Sequence, residues 1–261
     1  MGAKQRARRW PAGRDSGIQI VEEDGVRYLH IGGEAIQSGL RIDEPDRLEL
    51  DYVRAMMAFL LFCPRPRDLL MVGLGGGSLA RFVHQRMHET RVSVVEINPE
   101  VVSIAREYFH FPQDDERLEV VVADGAAVVP ERPASADVLV VDGFEDGETP
   151  EALATQPFYD AAFASLREAG VMVVNFMADA RKMDAYLARI EKAFGRYPTL
   201  LMAEDKDNLI AFAVKGGPAR LAWDELKARA LSANVRFGLQ LQKSFPSLRR
   251  RNPSEDGFLV L

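Results

Sequence analysis

The chain has 261 residues, 47% of them apolar and 28% charged, with a formal net charge of −6. That length supports a substantial core, and the acidic balance excludes a global basic field drawn to nucleic acid. The one cysteine, Cys63, excludes an internal disulfide and a thiolate zinc cluster, and no apolar run reaches the length of a membrane span.

Residues 1–16 are basic and carry no apolar signal core, so they read as a flexible arm and the chain as cytoplasmic. Residues 17–45 read as a small antiparallel subdomain, because 18–22 and 27–31 alternate around Glu23-Asp24-Gly25, a hairpin signal. Residues 46–62 read as a helix with Leu50, Val53, Met57 and Leu60 on one stripe, stopped by Pro64 and Pro66.

From residue 68, within a domain expected to span 46–216, strand and helix alternate. Strands are expected at 68–73, 91–97, 118–123, 136–142, 169–176, 198–204 and 208–214, and helices at 78–88, 99–109, 157–168 and 179–195. The early strands are continuous apolar runs, as when helices cover both sheet faces. The last two straddle 204–208 at hairpin spacing, which makes an antiparallel edge. The expected fold is therefore α/β: a Rossmann-like, methyltransferase-type, mostly parallel sheet ending in an antiparallel hairpin, beside an N-terminal β-hairpin subdomain. Residues 217–261 read as a helix over about 223–241 and a basic tail.

Ligands of open α/β sheets sit beyond the carboxyl ends of the strands. After the first parallel strand stand Gly73, Gly75, Gly76 and Gly77, a turn that lets a ligand lie against bare main chain. The loop lacks the Lys-Ser/Thr of a triphosphate-binding P-loop. After the second strand stands Glu96, nineteen residues beyond Gly77, placed to accept from a ribose diol. After the third stand Asp124 and Gly125: the carboxylate suits an adenine amine or a helix N-cap, and the glycine leaves room for a ring. After the fourth, Asp142, Glu145, Asp146 and Glu148 crowd seven residues, an acidic mouth able to attract a cation and take a proton. His84 and His88 share a helix face without the glutamate of a zinc-protease motif, so no metal is expected.

In this order the residues resemble the spermidine synthase (polyamine aminopropyltransferase) family over about 19–215. Gln37 resembles the family's cofactor-contacting glutamine; Leu70-Met-Val-Gly-Leu-Gly-Gly-Gly77 its glycine loop; Val94-Val-Glu-Ile-Asn98 its ribose-binding strand end; Asp124-Gly125 its adenine contact; and 142–159 its active-site loop and following helix. The resemblance implies transfer of an aminopropyl group from decarboxylated S-adenosylmethionine to a polyamine acceptor. It implies Gln37, Gly73, Gly75, Gly77, Glu96, Asp124 and Gly125 as the cofactor site, Asp142 and Glu145 as the catalytic carboxylates, and a homodimer as the assembly common among relatives. Nucleic acid and membrane are not expected partners.

Three positions depart from the family pattern. Gly76 replaces an aspartate that grips the amine end of the cofactor, Glu145 replaces the catalytic aspartate, and Asp51-Tyr52-Val53 replaces a Tyr-His/Gln-Glu segment. Two other readings therefore stay open: a methyltransferase using S-adenosylmethionine itself, and a catalytically idle nucleoside-binding homologue.

Overall fold

The computed structural model describes residues 8–12, 17–33, 35–144 and 148–261. It begins with an antiparallel sheet of four strands in sequence order, β1 (Arg8–Ala12), β2 (Ile18–Glu23), β3 (Val26–Ile31) and β4 (Ile36–Arg41). The expected hairpin joins β2 to β3, and Asp24 and Gly25 both take positive φ, the conformation that matches strand twist in a tight turn. Strand β1 lies inside the stretch read as a flexible arm and pairs with β2. Its Arg-Arg-Trp-Pro-Ala sequence carries no apolar alternation to announce a strand.

Helix α1 (Asp51–Met56) is shorter than the one expected over 46–62. The approach turns at 45–47 and is extended at Leu50, and the Arg54 guanidinium donates to the carbonyls of Leu48 and Glu49, which would otherwise accept from helical amides. Met57–Leu61 continues as buried 3-10 turns.

The main sheet is built from β5 (Asp68–Val72), α2 (Ser78–Arg86), β6 (Arg91–Glu96), α3 (Pro99–Tyr108), β7 (Leu118–Val122), α4 (Gly125–Val128), β8 (Ala136–Val141), α5 (Gln156–Ser165), β9 (Leu166–Met177), α6 (Met183–Phe194), β10 (Thr199–Met202) and β11 (Asn208–Val214). The strand order is β10-β11-β9-β8-β5-β6-β7. The pairs from β9 to β7 are parallel, and β11 runs antiparallel to both its neighbours. The expected mostly parallel sheet with a closing hairpin is therefore present. One face packs on α1, α2, α3 and the C-terminal segment, the other on α5 and α6. Connections from β5 lead one way across the sheet and those from β8 the other, so the switch point lies between them, where such folds bind ligands.

The helix expected over about 223–241 is present as Trp223–Phe237, and the segment read as a tail after it is folded. Strand β12 (Arg220–Ala222), α7 (Trp223–Phe237), α8 (Phe245–Arg251), β13 (Ser254–Glu255) and β14 (Phe258–Val260) form a helical pair and a small sheet ordered β12-β14-β13. The Asn252 side chain accepts from the Leu200 amide at 2.7 Å and donates to the Leu200 carbonyl at 2.8 Å. It thus covers the free edge of β10, the kind of exposed ladder that invites unwanted pairing. Cys63 is half-buried, and burial pushes its thiol up to about 11, an inert state.

Candidate active site

Past β5 the chain turns through Gly73, Gly75 and Gly77, all at positive φ. Most of this turn answers to the protein's own packing. A β-carbon on Gly73 would lie 2.2 Å from the Asp142 carbonyl oxygen, and one on Gly77 2.4 Å from the Phe111 ring. On Gly76 it would meet Ser38 Oγ at 2.7 Å and Phe109 at 2.9 Å, and on Gly125 the Val72 side chain at 2.3 Å. Gly75 differs: its nearest neighbour would be the Gln37 carbonyl oxygen at 3.5 Å. The bare main chain open to a ligand is therefore that of Gly75, beside Gln37 on β4.

Glu96, at the end of β6, is 7% exposed. Its Oε2 accepts from the Leu74 amide at 2.8 Å and its Oε1 from the Asn98 amide at 2.9 Å. Burial raises its pKa, and the amides of Asn98, Leu74 and Ile97 oppose that rise. Each oxygen keeps acceptor capacity for a further donor. The glutamate thus ties the glycine loop to β6 and still offers two acceptors to a diol.

Ile97 is 68% exposed and Val122 52% exposed, at the ends of adjacent strands. Two bare branched side chains beside a buried carboxylate make a surface that a planar ring can cover. Asp124 stands next in line. Its Oδ1 accepts from the Ala126 amide at 2.8 Å, capping α4. The cap leaves its other oxygen available.

Asp142 follows β8. Burial pushes its carboxyl up to about 6, and a hydrogen bond from Asn175 Nδ2 to Oδ1 at 2.8 Å opposes that rise. Tyr52 of α1 donates its hydroxyl to the Gln37 carbonyl at 2.7 Å. Its pKa is driven well above the ordinary value by burial, reinforced by the negative charges of Asp142 and of Asp205 on the β10–β11 turn.

The structure thus brings Gly73, Gly75, Gly77, Glu96, Asp124, Gly125 and Asp142 to one edge of the main sheet and sets Gln37, on β4 of the N-terminal sheet, against Gly75. Glu145 and Asp146 lie outside the described residues. Tyr52, Ile97, Val122 and Asp205 also lie at this edge; the sequence reading named Tyr52 only within a segment that departs from the family pattern and gave the other three no role. For Ile97 a signal existed: an apolar residue directly after the strand-ending acid has no core left to enter. His84, read with His88, bonds Asp115 at 2.8 Å. Among the described residues no group of three His, Cys, Asp or Glu is arranged to hold a metal, and no helix is long and apolar enough to cross a membrane.

Comparisons with known proteins bear on the family and the fold. The spermine/spermidine synthase domain model matches residues 50–196. A polyamine aminopropyltransferase of Chromobacterium violaceum is 34% identical over 244 residues, covering 94% of each chain. A spermidine synthase solved in complex with the transition-state analogue AdoDATO has a TM-score of 0.73 at 22% identity, covering 94% of this chain and 85% of that one. At that identity it speaks for the fold alone. Human methyltransferase-like protein 13 in complex with SAH has a TM-score of 0.63 at 28% identity, covering 79% of this chain and 96% of that one.

Proposed function

The chain belongs to the spermine/spermidine synthase family, and from that premise we propose that it transfers an aminopropyl group from decarboxylated S-adenosylmethionine to a polyamine acceptor. The observation that carries the proposal is Asp142. It is a carboxylate pushed up to about 6, at the same sheet edge as the buried acceptor pair of Glu96 and the exposed Ile97 and Val122.

In this reading the ribose diol bonds Glu96, the adenine lies on Ile97 and Val122 with its amine toward Asp124, and the sulfonium passes over Gly75 beside Gln37. A diamine is protonated in water, since a free alkylamine has a pKa of about 10. The reacting amine must lose its proton, and a desolvated carboxylate with a raised pKa is a better base than an ordinary aspartate. The amine lone pair then forms a bond to the methylene beside sulfur. The carbon–sulfur bond breaks with its pair on sulfur, methylthioadenosine leaves, and the proton rests on the carboxylate. Alignment supplies much of the rate in such a displacement. We assign the base and amine-orienting roles to Asp142 and Glu145, and attraction of the distal ammonium to Asp205 and the rest of the acidic rim.

Incubation of the protein with decarboxylated S-adenosylmethionine and putrescine tests this reading, with methylthioadenosine and aminopropylated amine as the expected products. No release across a panel of diamines would overturn it.

Methyl transfer is favoured by one observation. The space where a side chain on Gly76 would project is filled by Ser38 and Phe109, so no carboxylate at that position grips an amine. Calorimetry separates the two: tighter binding of the carboxylated cofactor would favour methyl transfer.

A further inference from the structure

On the face of the main sheet that packs against α1, the side chains of β8, β9 and β11 are apolar until they reach the carboxyl edge. Val138 and Val140 lead to Asp142, Val171 and Val173 to Asn175, and Phe212 and Ile210 to Asn208. Three neighbouring strands thus change from hydrocarbon to amide or carboxylate at the carboxyl edge, β8 and β9 at Asp142 and Asn175 and β11 one same-face position further out, at Asn208. The two asparagines are 2% and 8% exposed, and burying such groups is costly unless each is satisfied.

They are satisfied in series. Asn208 Nδ2 donates to Asn175 Oδ1 at 3.0 Å, and Asn175 Nδ2 donates to Asp142 Oδ1 at 2.8 Å. The direction of this chain follows from chemistry. An ionised carboxylate only accepts, so Asn175 must turn its NH2 toward Asp142 and its oxygen toward a donor. Asn208 supplies that donor from the first residue of β11, where it stands opposite Met177. Reversing Asn175 would set oxygen against carboxylate on one side and NH2 against NH2 on the other.

We infer that Asn175 and Asn208 form a positioning relay that fixes the rotamer of Asp142 and keeps its carboxyl ionised, leaving Oδ2 as the oxygen that meets the acceptor amine. The relay rests on the reading of Asp142 given above and deepens it. Neither asparagine touches the reacting atoms. Among the described residues, the titratable groups that act together with Asp142 here are Tyr52 from α1, with its hydroxyl committed to the Gln37 carbonyl, and Asp205 on the β10–β11 turn, while Glu96 and Asp124 stand farther along the edge, past β6 and β7. None of these donates to Asp142 Oδ1, so the amide is the contact that opposes its neutralisation.

Two replacements of similar volume test the relay. Asn208→Asp presents an acceptor to Asn175 and rewards the reversed amide, which in turn demands a protonated Asp142. Asn208→Leu removes the donor. Carbon-13 carboxyl NMR of the full chain reads the Asp142 titration directly, without turnover. A hydrogen bond to an ionised group is worth enough to move a pKa by about one unit or more. The Asp142 midpoint should therefore rise by about one pH unit in Asn208→Asp and by less in Asn208→Leu, with methylthioadenosine affinity unchanged within about twofold. The acid limb of turnover should move with the midpoint. In the unmodified chain, the side-chain amide resonances of both asparagines should shift with a single inflection at the Asp142 midpoint. An Asn208 resonance that stays still through that titration overturns the relay even if neither variant folds, as does an unmoved midpoint in a folded variant. A moved midpoint with an unmoved turnover profile would support the relay and overturn Asp142 as the base.

Discussion

Gly73 and Asp142, on adjacent strands at the switch point of the sheet, approach so closely that a β-carbon on Gly73 would sit 2.2 Å from the Asp142 carbonyl oxygen. The Asp142 amide in turn donates to the Val72 carbonyl at 2.9 Å, so neither backbone can retreat without breaking the ladder. The first glycine of the loop thus sets where the Asp142 side chain emerges.

Gly73→Ala is therefore expected to cost roughly 3 kcal/mol or more, combining a left-handed backbone with overpacking. Gly75→Ala has space around its β-carbon and should cost about 1–2 kcal/mol from backbone alone. Chemical denaturation measures both. Methylthioadenosine affinity should fall for the Gly75 variant despite its retained fold, because that main chain is the one left open.

Glu96 has two tasks, and substitution should reveal both. Glu96→Ala frees the amides of Leu74 and Asn98, and a buried unsatisfied donor costs about 1–3 kcal/mol. It also removes the acceptors assigned to the ribose. Thermal unfolding should show a lower Tm without ligand, and calorimetry at least a tenfold loss of methylthioadenosine affinity. Unchanged affinity would refute the ribose assignment.

Restoring an aspartate at position 76 is not expected to restore the family's amine grip. The new β-carbon would press on Ser38 Oγ at 2.7 Å and Phe109 at 2.9 Å. Ser38 Oγ also lies 3.1 Å from Ser78 Oγ, a buried pair at the start of α2. Gly76→Asp should lose about 1–3 kcal/mol through overpacking and bind decarboxylated S-adenosylmethionine no more tightly. A gain in affinity would show that the loop moves to present the new side chain.

Stability should depend on pH through Asp142. Desolvation pushes its carboxyl up to about 6 in the fold, from the ordinary 3.8. Between those values the unfolded chain holds fewer protons than the native one, so stability falls as pH rises through that window and stays reduced above it. Asp142→Asn keeps an oxygen to accept from Asn175 and removes the charge of this half-buried carboxylate. The Tm of that variant, relative to the parent, should climb from pH 4 to pH 7.5. A difference that is flat across that range would contradict the burial of this carboxylate.

The parallel core was legible because β5, β6 and β8 are rich in branched apolar residues and stop at Gly73, Glu96 and Asp142. Helix 46–62 was overextended, since its apolar stripe says nothing of Arg54 taking the carbonyls of Leu48 and Glu49. The glycine loop was visible as a loop, but its reasons were not. Phe109, Phe111 and Ser38 lie in other elements, and only packing shows that they exclude a side chain. The role of Asn208 was hidden for a similar cause: the pairing of β11 on β9 sets it beside Asn175, and register is a long-range property.

In the proposed complex, one sheet edge holds an adenosyl group by Glu96 and an acceptor amine by Asp142. A crystal structure of the chain with methylthioadenosine and putrescine bound together tests it most directly. Both ribose hydroxyls should lie on the Glu96 carboxylate, the adenine against Ile97 and Val122, and an amine nitrogen within hydrogen-bonding distance of Asp142 Oδ2. A sugar turned away from Glu96, or a diamine seated elsewhere, would contradict it.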